Sequence, residues 1–185
     1  MANFNEDYIR LEIEPIENEY NLENEWDVWV HHIKDNWKID GYKKIFSISK
    51  IDDFWLLHNN IHIISGVYDS LNNLQIYIMK KGINPIWEDV NNRNGGCWSF
   101  KINNIDSYNT WLNLGIYMIG ETLLNDKFYS LQNITGLSYC QKNNTSSIIK
   151  IWTENSKYIS LDCLHQNIID LYGYNIIYKA HLAEY

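Results

Sequence analysis

The chain has 185 residues and a formal net charge of −8, so it is long enough for one domain with a sizeable core and too acidic for general binding to duplex DNA. Aromatic residues make up 15% of it, including 8 Trp and 14 Tyr, which favours a β-rich or mixed fold. No apolar run could span a membrane, and the 3 cysteines lack metal-ligand spacing, which indicates reduced thiols.

The N-terminal part of the chain divides into a tail, a strand and a loop. Residues 1–19 are acidic and lack the hydrophobic core of a signal peptide, so we expect a flexible tail on a cytoplasmic protein. Large apolar residues alternate from Glu25 to His32, which predicts the first strand. Trp37 follows outside this alternation, where core packing explains a Trp less easily than it would inside a strand.

Three stretches have helical spacing. Residues 49–52 have the form of a capping box and predict a short helix through His58. On that helix Ile51 and Trp55 share a second apolar face, which indicates deep burial or a partner site. The longest helical pattern runs over 104–125, and a third covers 160–172.

Further strands are predicted at about 74–80, 97–102, 134–141, 148–153 and 175–180. No internal repeat or linker interrupts these elements. We therefore predict one α+β domain over residues 20–185, with an antiparallel sheet and helices on one face.

A turn in the middle of the chain places an aromatic ring beside a carboxylate. It runs from Ile83 to Asp89 and contains Trp87 followed by Glu88. The ring could stack on a flat ligand while the carboxylate accepts N–H donors from the ligand's edge. The alternative is a packed Trp beside a solvated acidic turn, which is the commoner case for a lone Trp.

Other arrangements that could carry chemistry are weaker. His31 and His32 are adjacent on a predicted strand and point to opposite faces, which argues against shared metal binding. Cys163 and His165 lie two apart on a predicted helix and face away from each other. Glu88 and Asp89 have no accompanying nucleophile or metal cluster. No enzymatic activity, metal or cofactor is predicted.

Several stretches, taken together and in order, carry a family resemblance. They are Trp26–Trp29, Asp53–Ile61, Lys81–Asp89, Gly95–Trp98, Trp111–Glu121 and Ile151–Thr153. With Gly-Ile-x-Pro-x-Trp-Glu-Asp at their centre, they resemble the eukaryotic translation initiation factor 4E family, the messenger-RNA cap-binding proteins. The resemblance covers Tyr20 to about His181. It implies a curved antiparallel sheet of about eight strands, with three helices on the convex face and the ligand slot on the concave face.

The resemblance implies a site for the 7-methylguanosine cap of mRNA. Trp87 would be one of two rings stacked on the cationic base, and Glu88 would accept hydrogen bonds from the guanine N1–H and amino group. Trp37 is the predicted second ring, with Tyr42 as the alternative. Trp152 matches a family Trp that lies against the methyl group, and it could also be simple core.

The triphosphate half of this site departs from the family pattern. Cys97 stands where the family has an Arg after the Gly-Gly pair, and few basic residues precede Ile-Trp-Thr. The remaining candidates for cap or phosphate contacts are Lys142, Lys150 and His181, besides Tyr42. We therefore expect a weaker phosphate contribution and a shallower salt dependence, or a cap of different chemistry.

A second implied site is the helical back of the sheet. Family members bind there a scaffold or inhibitor protein with a Tyr-x4-Leu-hydrophobic motif. The matching receptor positions are Ile51, Trp55, Leu112 and Ile116. Asn113 replaces the family's acidic residue, and Tyr20-Asn21 replaces its His-Pro motif, so binding of the usual scaffold stays open.

The resemblance therefore predicts a monomer that recruits capped mRNA to the translation initiation machinery, without binding DNA or membranes. The alternatives are a cap-binding repressor or competitor that does not engage the usual scaffold, and a reader of a non-standard cap. The Asn-, Ile-, Tyr- and Lys-rich usage indicates a divergent source, such as a parasite or a large DNA virus.

Overall fold

The computed structural model describes residues 20–31, 33, 35–62, 75–142, 145–173 and 176–181. The predicted tail over residues 1–19 lies outside the described residues, as does His32. None of the helices in the described part of the chain is long and apolar enough to cross a membrane.

The strands form one antiparallel sheet. Their bounds are β1 Asn21–His31, β2 Tyr42–Lys50, β3 Gln75–Lys80, β4 Gly96–Asn103, β5 Ile134–Gln141, β6 Ser146–Thr153 and β7 Ile176–Ala180. Within the described residues the sheet has seven strands in the order β2-β1-β3-β5-β6-β4-β7. Every neighbouring pair is antiparallel, which confirms the predicted sheet type.

The helices in the described residues are α1 Ile51–Asn59, α2 Asn104–Ile119 and α3 Gln166–Tyr172, with short 3-10 turns at Ile39–Gly41 and Leu161–Cys163. All three helices contribute buried side chains to one large core cluster. Its members include Phe54 and Leu57 of α1, Trp111, Leu114 and Met118 of α2, Ile168 of α3, and Trp26, Val28 and Val30 of β1. The helices therefore cover one face of the sheet, as predicted.

The two longer helices meet closely at Gly115 of α2. A Cβ atom at this position would lie 3.0 Å from two ring carbons of Phe54 on α1, so glycine allows the close approach. His58 is buried at the same contact, where its ring lies 4.4 Å from that of Phe54 and 4.7 Å from that of Trp111. The helix contact is thus built from aromatic rings around one histidine.

Two helix ends differ from the prediction. The long helix ends at Ile119, because Glu121 takes a left-handed conformation with φ 55° and the Thr122 N–H bonds back to the Tyr117 carbonyl. The predicted helix over 160–172 is interrupted at Leu164, which pairs with Leu124 in an isolated bridge. The last helix then begins at Gln166, with the His165 side chain accepting from the Asn167 N–H.

Two further features near β2 also differ. The strand was not predicted, because its adjacent lysines Lys43 and Lys44 break the apolar alternation and its register against β1 shifts at Ile45. The capping carboxylate of α1 is Asp53 rather than Asp52. It accepts hydrogen bonds from the backbone N–H of Ser49 at 2.8 Å and of Lys50 at 2.9 Å, which satisfies donors before the first helical turn.

The open face of the sheet has a smaller core of its own. Since side chains alternate between faces along a strand, the neighbours of the main core residues point to this side. They form a second cluster of Tyr42, Tyr77, Met79, Ile83 and Trp152, with Trp29 and Ile86 packed against it. The open face is therefore aromatic, and the residues of the predicted site lie on it or beside it.

Candidate functional site

Asp89 builds the turn that carries Trp87 and Glu88. Its Oδ2 accepts hydrogen bonds from the backbone and side-chain nitrogens of Asn84, both at 3.0 Å. Its Oδ1 accepts from the backbone nitrogen of Asn91 at 3.0 Å and from the side-chain nitrogen at 3.2 Å. Partial burial raises the pKa of Asp89, but these hydrogen bonds from Asn91 and Asn84 outweigh burial and leave the pKa below its usual value.

Asn92 fixes the same loop from inside. It is fully buried, and its Nδ2 donates to the carbonyls of Asn84 and Ile86, both at 2.9 Å. Its own carbonyl lies 2.9 Å from Nδ1 of His181, whose backbone N–H donates to Gly95. The loop is thus closed on the residue that follows β7, and it presents Trp87 and Glu88 outward.

Trp37 stands on the other side of the open face. Its ring stacks on His31 of β1, with centroids 4.3 Å apart and planes 11° apart. Trp37 is 51% exposed and Trp87 is 43% exposed. Exposure on this scale leaves each indole with surface available to a ligand, whereas most Trp side chains are largely buried.

A row of rings forms the floor between these features. It starts at Trp37 and His31. The ring centroids lie 4.7 Å apart between His31 and Tyr42, 5.4 Å between Tyr42 and Tyr77, 6.0 Å between Tyr77 and Trp152, and 5.0 Å between Trp152 and His181. Tyr42 and Trp152 are only 8% and 6% exposed. The Trp152 Nε1–H donates to Ser138 Oγ at 3.0 Å. The rings beyond His31 meet tilted or edge-on, so this row is a packed aromatic floor.

The Glu88 carboxylate interacts electrostatically with a ring of this aromatic floor. Burial raises the pKa of Tyr42, a hydrogen bond with Tyr77 lowers it, and the nearby Glu88 carboxylate raises it again. Glu88 is itself exposed. Its charge therefore acts on the floor beside Trp37, although Glu88 lies on the loop that carries Trp87.

The far half of the open face is basic. Cross-strand register pairs Trp152 of β6 with Cys97 of β4, and Cys97 with Lys179 of β7. Lys150 lies two residues before Trp152 and shares its face. The residues of β5, β6, β4 and β7 on this face are Gly136, Ser138, Cys140, Ile148, Lys150, Trp152, Cys97, Ser99, Lys101, Ile177 and Lys179. None of these is acidic, in a chain whose net charge is −8.

Lys179 was missed in the sequence analysis. The pattern that could have identified it is the alternation within β7. Tyr178 faces the core and contacts Trp98 with centroids 5.3 Å apart, so the neighbouring Lys179 points to the open face. Of the predicted contacts, Lys150 also acts on His181. Burial lowers the pKa of His181, the hydrogen bond with Asn92 raises it, and the Lys150 charge lowers it. Lys142 lies further out, beyond the end of β5.

The predicted partner surface lies on the opposite, helical side. Ile51 and Trp55 on α1 are 38% and 41% exposed, and Ile116 on α2 is 41% exposed. Leu112 is half-buried, and Asn113 beside it is exposed. Two neighbouring helices thus present large apolar side chains to solvent, a feature typical of protein-binding surfaces.

A cleft elsewhere in the molecule does not coincide with either site. It has a volume of about 370 Å³ and is lined by Glu23, Lys80, Glu121 and Glu154, among others. It contains none of the predicted cap-site residues, and its acidic lining is unsuited to a phosphate chain. We therefore place the candidate site on the exposed aromatic surface instead.

An open sheet face with two exposed tryptophans is a candidate ligand-binding surface. No group of His, Cys, Asp or Glu side chains in the described residues could hold a metal ion. The family model "Eukaryotic initiation factor 4E" matches residues 21–183. The chain belongs to this family, which confirms the resemblance.

Relatives with this name occur in distant eukaryotes and in a virus. The chain is 28% identical over 142 residues to eukaryotic translation initiation factor 4E of Dictyostelium discoideum, covering 74% of this chain and 53% of that protein. It is 30% identical over 147 residues to factor 4E-1 of Phaseolus vulgaris, covering 76% and 59%. It is 29% identical over 134 residues to a factor 4E homologue of Acanthamoeba polyphaga mimivirus, covering 63% and 49%. The chain thus spans about half the length of these relatives.

Solved structures support the fold. A complex of C. elegans eIF4E-3 with the 4E-binding protein Mextli and a cap analogue matches with a TM-score of 0.69 and 24% identity, covering 89% of this chain and 94% of that one. Ascaris suum eIF4E-3 with an m2,2,7G cap matches with a TM-score of 0.70 and 23% identity, covering 91% and 94%. This likeness confirms the predicted curved sheet with helices on one side.

Proposed function

We propose that the protein binds the 7-methylguanosine cap of mRNA, with the base stacked between Trp37 and Trp87. The observation that carries this proposal is the Asp89-centred loop, which holds Trp87 and Glu88 outward beside an aromatic floor. A methylated guanine is flat and positively charged, so each indole contributes on the order of 1–3 kcal/mol by stacking and cation–π attraction. Glu88 accepts hydrogen bonds from the guanine N1–H and amino group.

The burial of the aromatic residues assigns different parts to them. Trp37 is 51% exposed, whereas Tyr42 is 8% exposed and lies between His31 and Tyr77. This difference favours Trp37 as the second stacking ring and Tyr42 as part of the floor. Trp152 is also buried, and its ring contacts His181. We assign Trp152 to the floor on the side of the methyl group.

The phosphate chain follows the basic half of the open face. Lys150 and Lys179 lie on strands two apart, so their Cα atoms are about 10–12 Å from each other. Their long side chains can converge over the neutral Cys97 and Ser99 between them. Lys142 and His181 flank this pair. With few cations and no arginine among them, the phosphate contribution is modest and the salt dependence shallow.

The helical surface binds an amphipathic helix of a partner protein. The exposed side chains of Ile51, Trp55 and Ile116, with the half-buried Leu112, suit such a helix-in-groove contact. We propose that a scaffold or inhibitor with a Tyr-x4-Leu-hydrophobic motif docks there, and that the protein acts as a monomer in the cytoplasm to recruit capped mRNA. A structural neighbour forms a complex with the 4E-binding protein Mextli.

A specific observation favours a second candidate function. Asn113 is exposed beside Leu112, at the position where the family pattern has an acidic residue. Loss of that charge weakens any contact with a basic side chain of the usual scaffold. A cap-binding repressor or competitor that occupies the cap without engaging the scaffold is therefore the alternative.

Tryptophan-fluorescence quenching by 7-methylguanosine triphosphate tests the cap proposal. We expect quenching of the wild type, and its loss in Trp87→Ala and Glu88→Ala. Trp55→Ala is the matched control, because it removes a comparably exposed Trp from the opposite face and should bind normally. Unmethylated guanosine triphosphate should bind at least tenfold more weakly. Absence of quenching in a folded wild type would rule out the proposed function.

Partner capture separates the two functions. The 185-residue chain with or without Trp55→Ala is used to isolate proteins from a eukaryotic cell lysate, with Trp87→Ala as the control that spares the helical face. Capture of a multidomain initiation scaffold by the wild type and by the Trp87 variant, but not by the Trp55 variant, supports initiation. Cap binding without such capture supports the repressor or competitor.

A further inference from the structure

His31 holds the Trp37 side of the base slot. It is 5% exposed, and its ring stacks on the indole at 4.3 Å with an interplanar angle of 11°. Its Nε2 lies 2.8 Å from the carbonyl oxygen of Asn36, the residue directly before Trp37. One side chain therefore fixes both the indole ring and the peptide that leads into it.

Asn36 extends this arrangement through the loop. Its backbone N–H donates to Ile33, and its Oδ1 accepts from the Lys38 N–H at 3.2 Å. Glycine is needed at position 41, because a Cβ there would overlap the Asn36 carbonyl oxygen. The loop is thus closed around the same carbonyl that His31 contacts, so the position of Trp37 depends on this hydrogen bond.

The contact with Asn36 defines the protonation of His31. A carbonyl oxygen only accepts, so Nε2 must carry a proton, and the neutral ring is the Nε2–H tautomer. The groups that face the ring are Trp37 and Asn36 from the loop, Tyr42 from β2 and Gln75, its register partner on β3. Asp40 is one hydrogen bond further away, through the Asn36 side chain.

We infer that His31 is a positioning residue of the base slot, because it holds the Trp37 ring where that ring can stack on the base. This inference rests on the proposed function. The indole has His31 on its inner face and the ligand on its outer face.

Two variants separate positioning from general stability. His31→Ala removes both the stack and the hydrogen bond, and we expect about tenfold weaker binding of 7-methylguanosine at pH 7. His31→Phe keeps a ring behind Trp37 and should stay within about threefold of the wild type. His62→Phe, at an exposed histidine on the helical side, is the control and should bind like the wild type. Unchanged affinity of His31→Ala for 7-methylguanosine would overturn the positioning role.

A measurement without ligand keeps the inference distinct from the proposed function. Acrylamide quenching of Trp37 emission, isolated as the difference from a Trp37→Phe reference, should increase in His31→Ala and not in His31→Phe. If the wild type does not bind 7-methylguanosine, the proposed function fails, while this experiment still decides whether His31 positions Trp37. Equal acrylamide quenching in all three proteins would show that it does not.

Discussion

His58 should make the fold sensitive to acid. It lies at the contact of α1 and α2, is 4% exposed, and has its Nδ1 3.3 Å from the Tyr108 hydroxyl. Its Nε2 is buried without a hydrogen-bond partner. Burial lowers the pKa of His58 to about 4, from the ordinary value of 6.5. The neutral ring is therefore the form that the folded protein accommodates.

The sign and size of the effect follow from this difference in pKa. Between pH 6.5 and about 4 the unfolded chain binds a proton at His58 that the folded chain does not bind, so the free energy of unfolding falls as the pH falls. Each pH unit corresponds to 1.36 kcal/mol, so the full loss is about 3 kcal/mol. That is a large fraction of the stability of a typical domain, 5–15 kcal/mol. Above pH 6.5 the histidine has no effect on the pH dependence.

Urea denaturation of the wild type and His58→Phe, at several pH values from 7 to 4, measures this contribution. Phe keeps a ring of similar size among Phe54 and Trp111 but cannot be protonated. Groups common to both proteins, such as Asp89 and His181, cancel in the comparison. We expect the stability of the wild type relative to the variant to fall by about 3 kcal/mol on going from pH 7 to pH 4. Parallel pH dependences of the two proteins would refute the reasoning.

Three further predictions concern the contact between α1 and α2, the loop that carries Trp87 and Glu88, and the phosphate site. Gly115→Ala should destabilise the fold by up to about 2 kcal/mol, because a methyl group 3.0 Å from two ring carbons of Phe54 crowds that ring by more than the roughly 1 kcal/mol that alanine gains over glycine in a helix; unchanged or higher stability in urea would mean that α1 moves freely. Asp89→Ala should weaken cap-analogue binding at least tenfold, since its four hydrogen bonds hold the loop, while circular dichroism stays that of a folded sheet; normal binding would show that the loop is held otherwise. Lys150→Gln and Lys179→Gln should each weaken binding of 7-methylguanosine triphosphate about two- to tenfold, leave the nucleoside unaffected, and reduce the salt slope by about 1. Equal losses for nucleoside and triphosphate would contradict that assignment, and Lys157→Gln, at an exposed residue away from the sheet face, is the control.

The main elements could be predicted because their patterns are long and regular. Alternation identified β1, β3 and β5, and helical spacing identified most of α1 and α2. Trp37 was recognised as unusual because it lies where alternation stops. The structure explains this observation, since its ring rests on His31 and leaves half of its surface exposed. The family resemblance supplied the assignment of these residues to a cap site.

The rest could not be predicted because it depends on neighbours in space. Lys179 belongs to the candidate site only through register across β4, which a single sequence does not specify. Asp89 and Asn92 look like ordinary turn residues, and their importance lies in the number of hydrogen bonds that converge on one loop. The strand β2 was not predicted, because its lysines face solvent and obscure the periodicity of the buried side.

The loop that carries Trp87 and Glu88 is hydrogen-bonded to His181, and these bonds have a consequence for local stability. Among the described strands, β7 is an edge strand of five residues whose one neighbour is β4, and edge elements open at lower free energy than central strands. Because Asn92 and Gly95 are bonded to the residue that follows β7, fraying of this edge would also release the loop that carries Glu88. Amide hydrogen exchange should therefore report one cooperative opening unit for β7 and residues 92–95, distinct from the slower exchange of β1 and β3. A bound cap that contacts both Lys179 and the loop that carries Glu88 would slow that opening. The edge strand and the ligand would therefore stabilise one another.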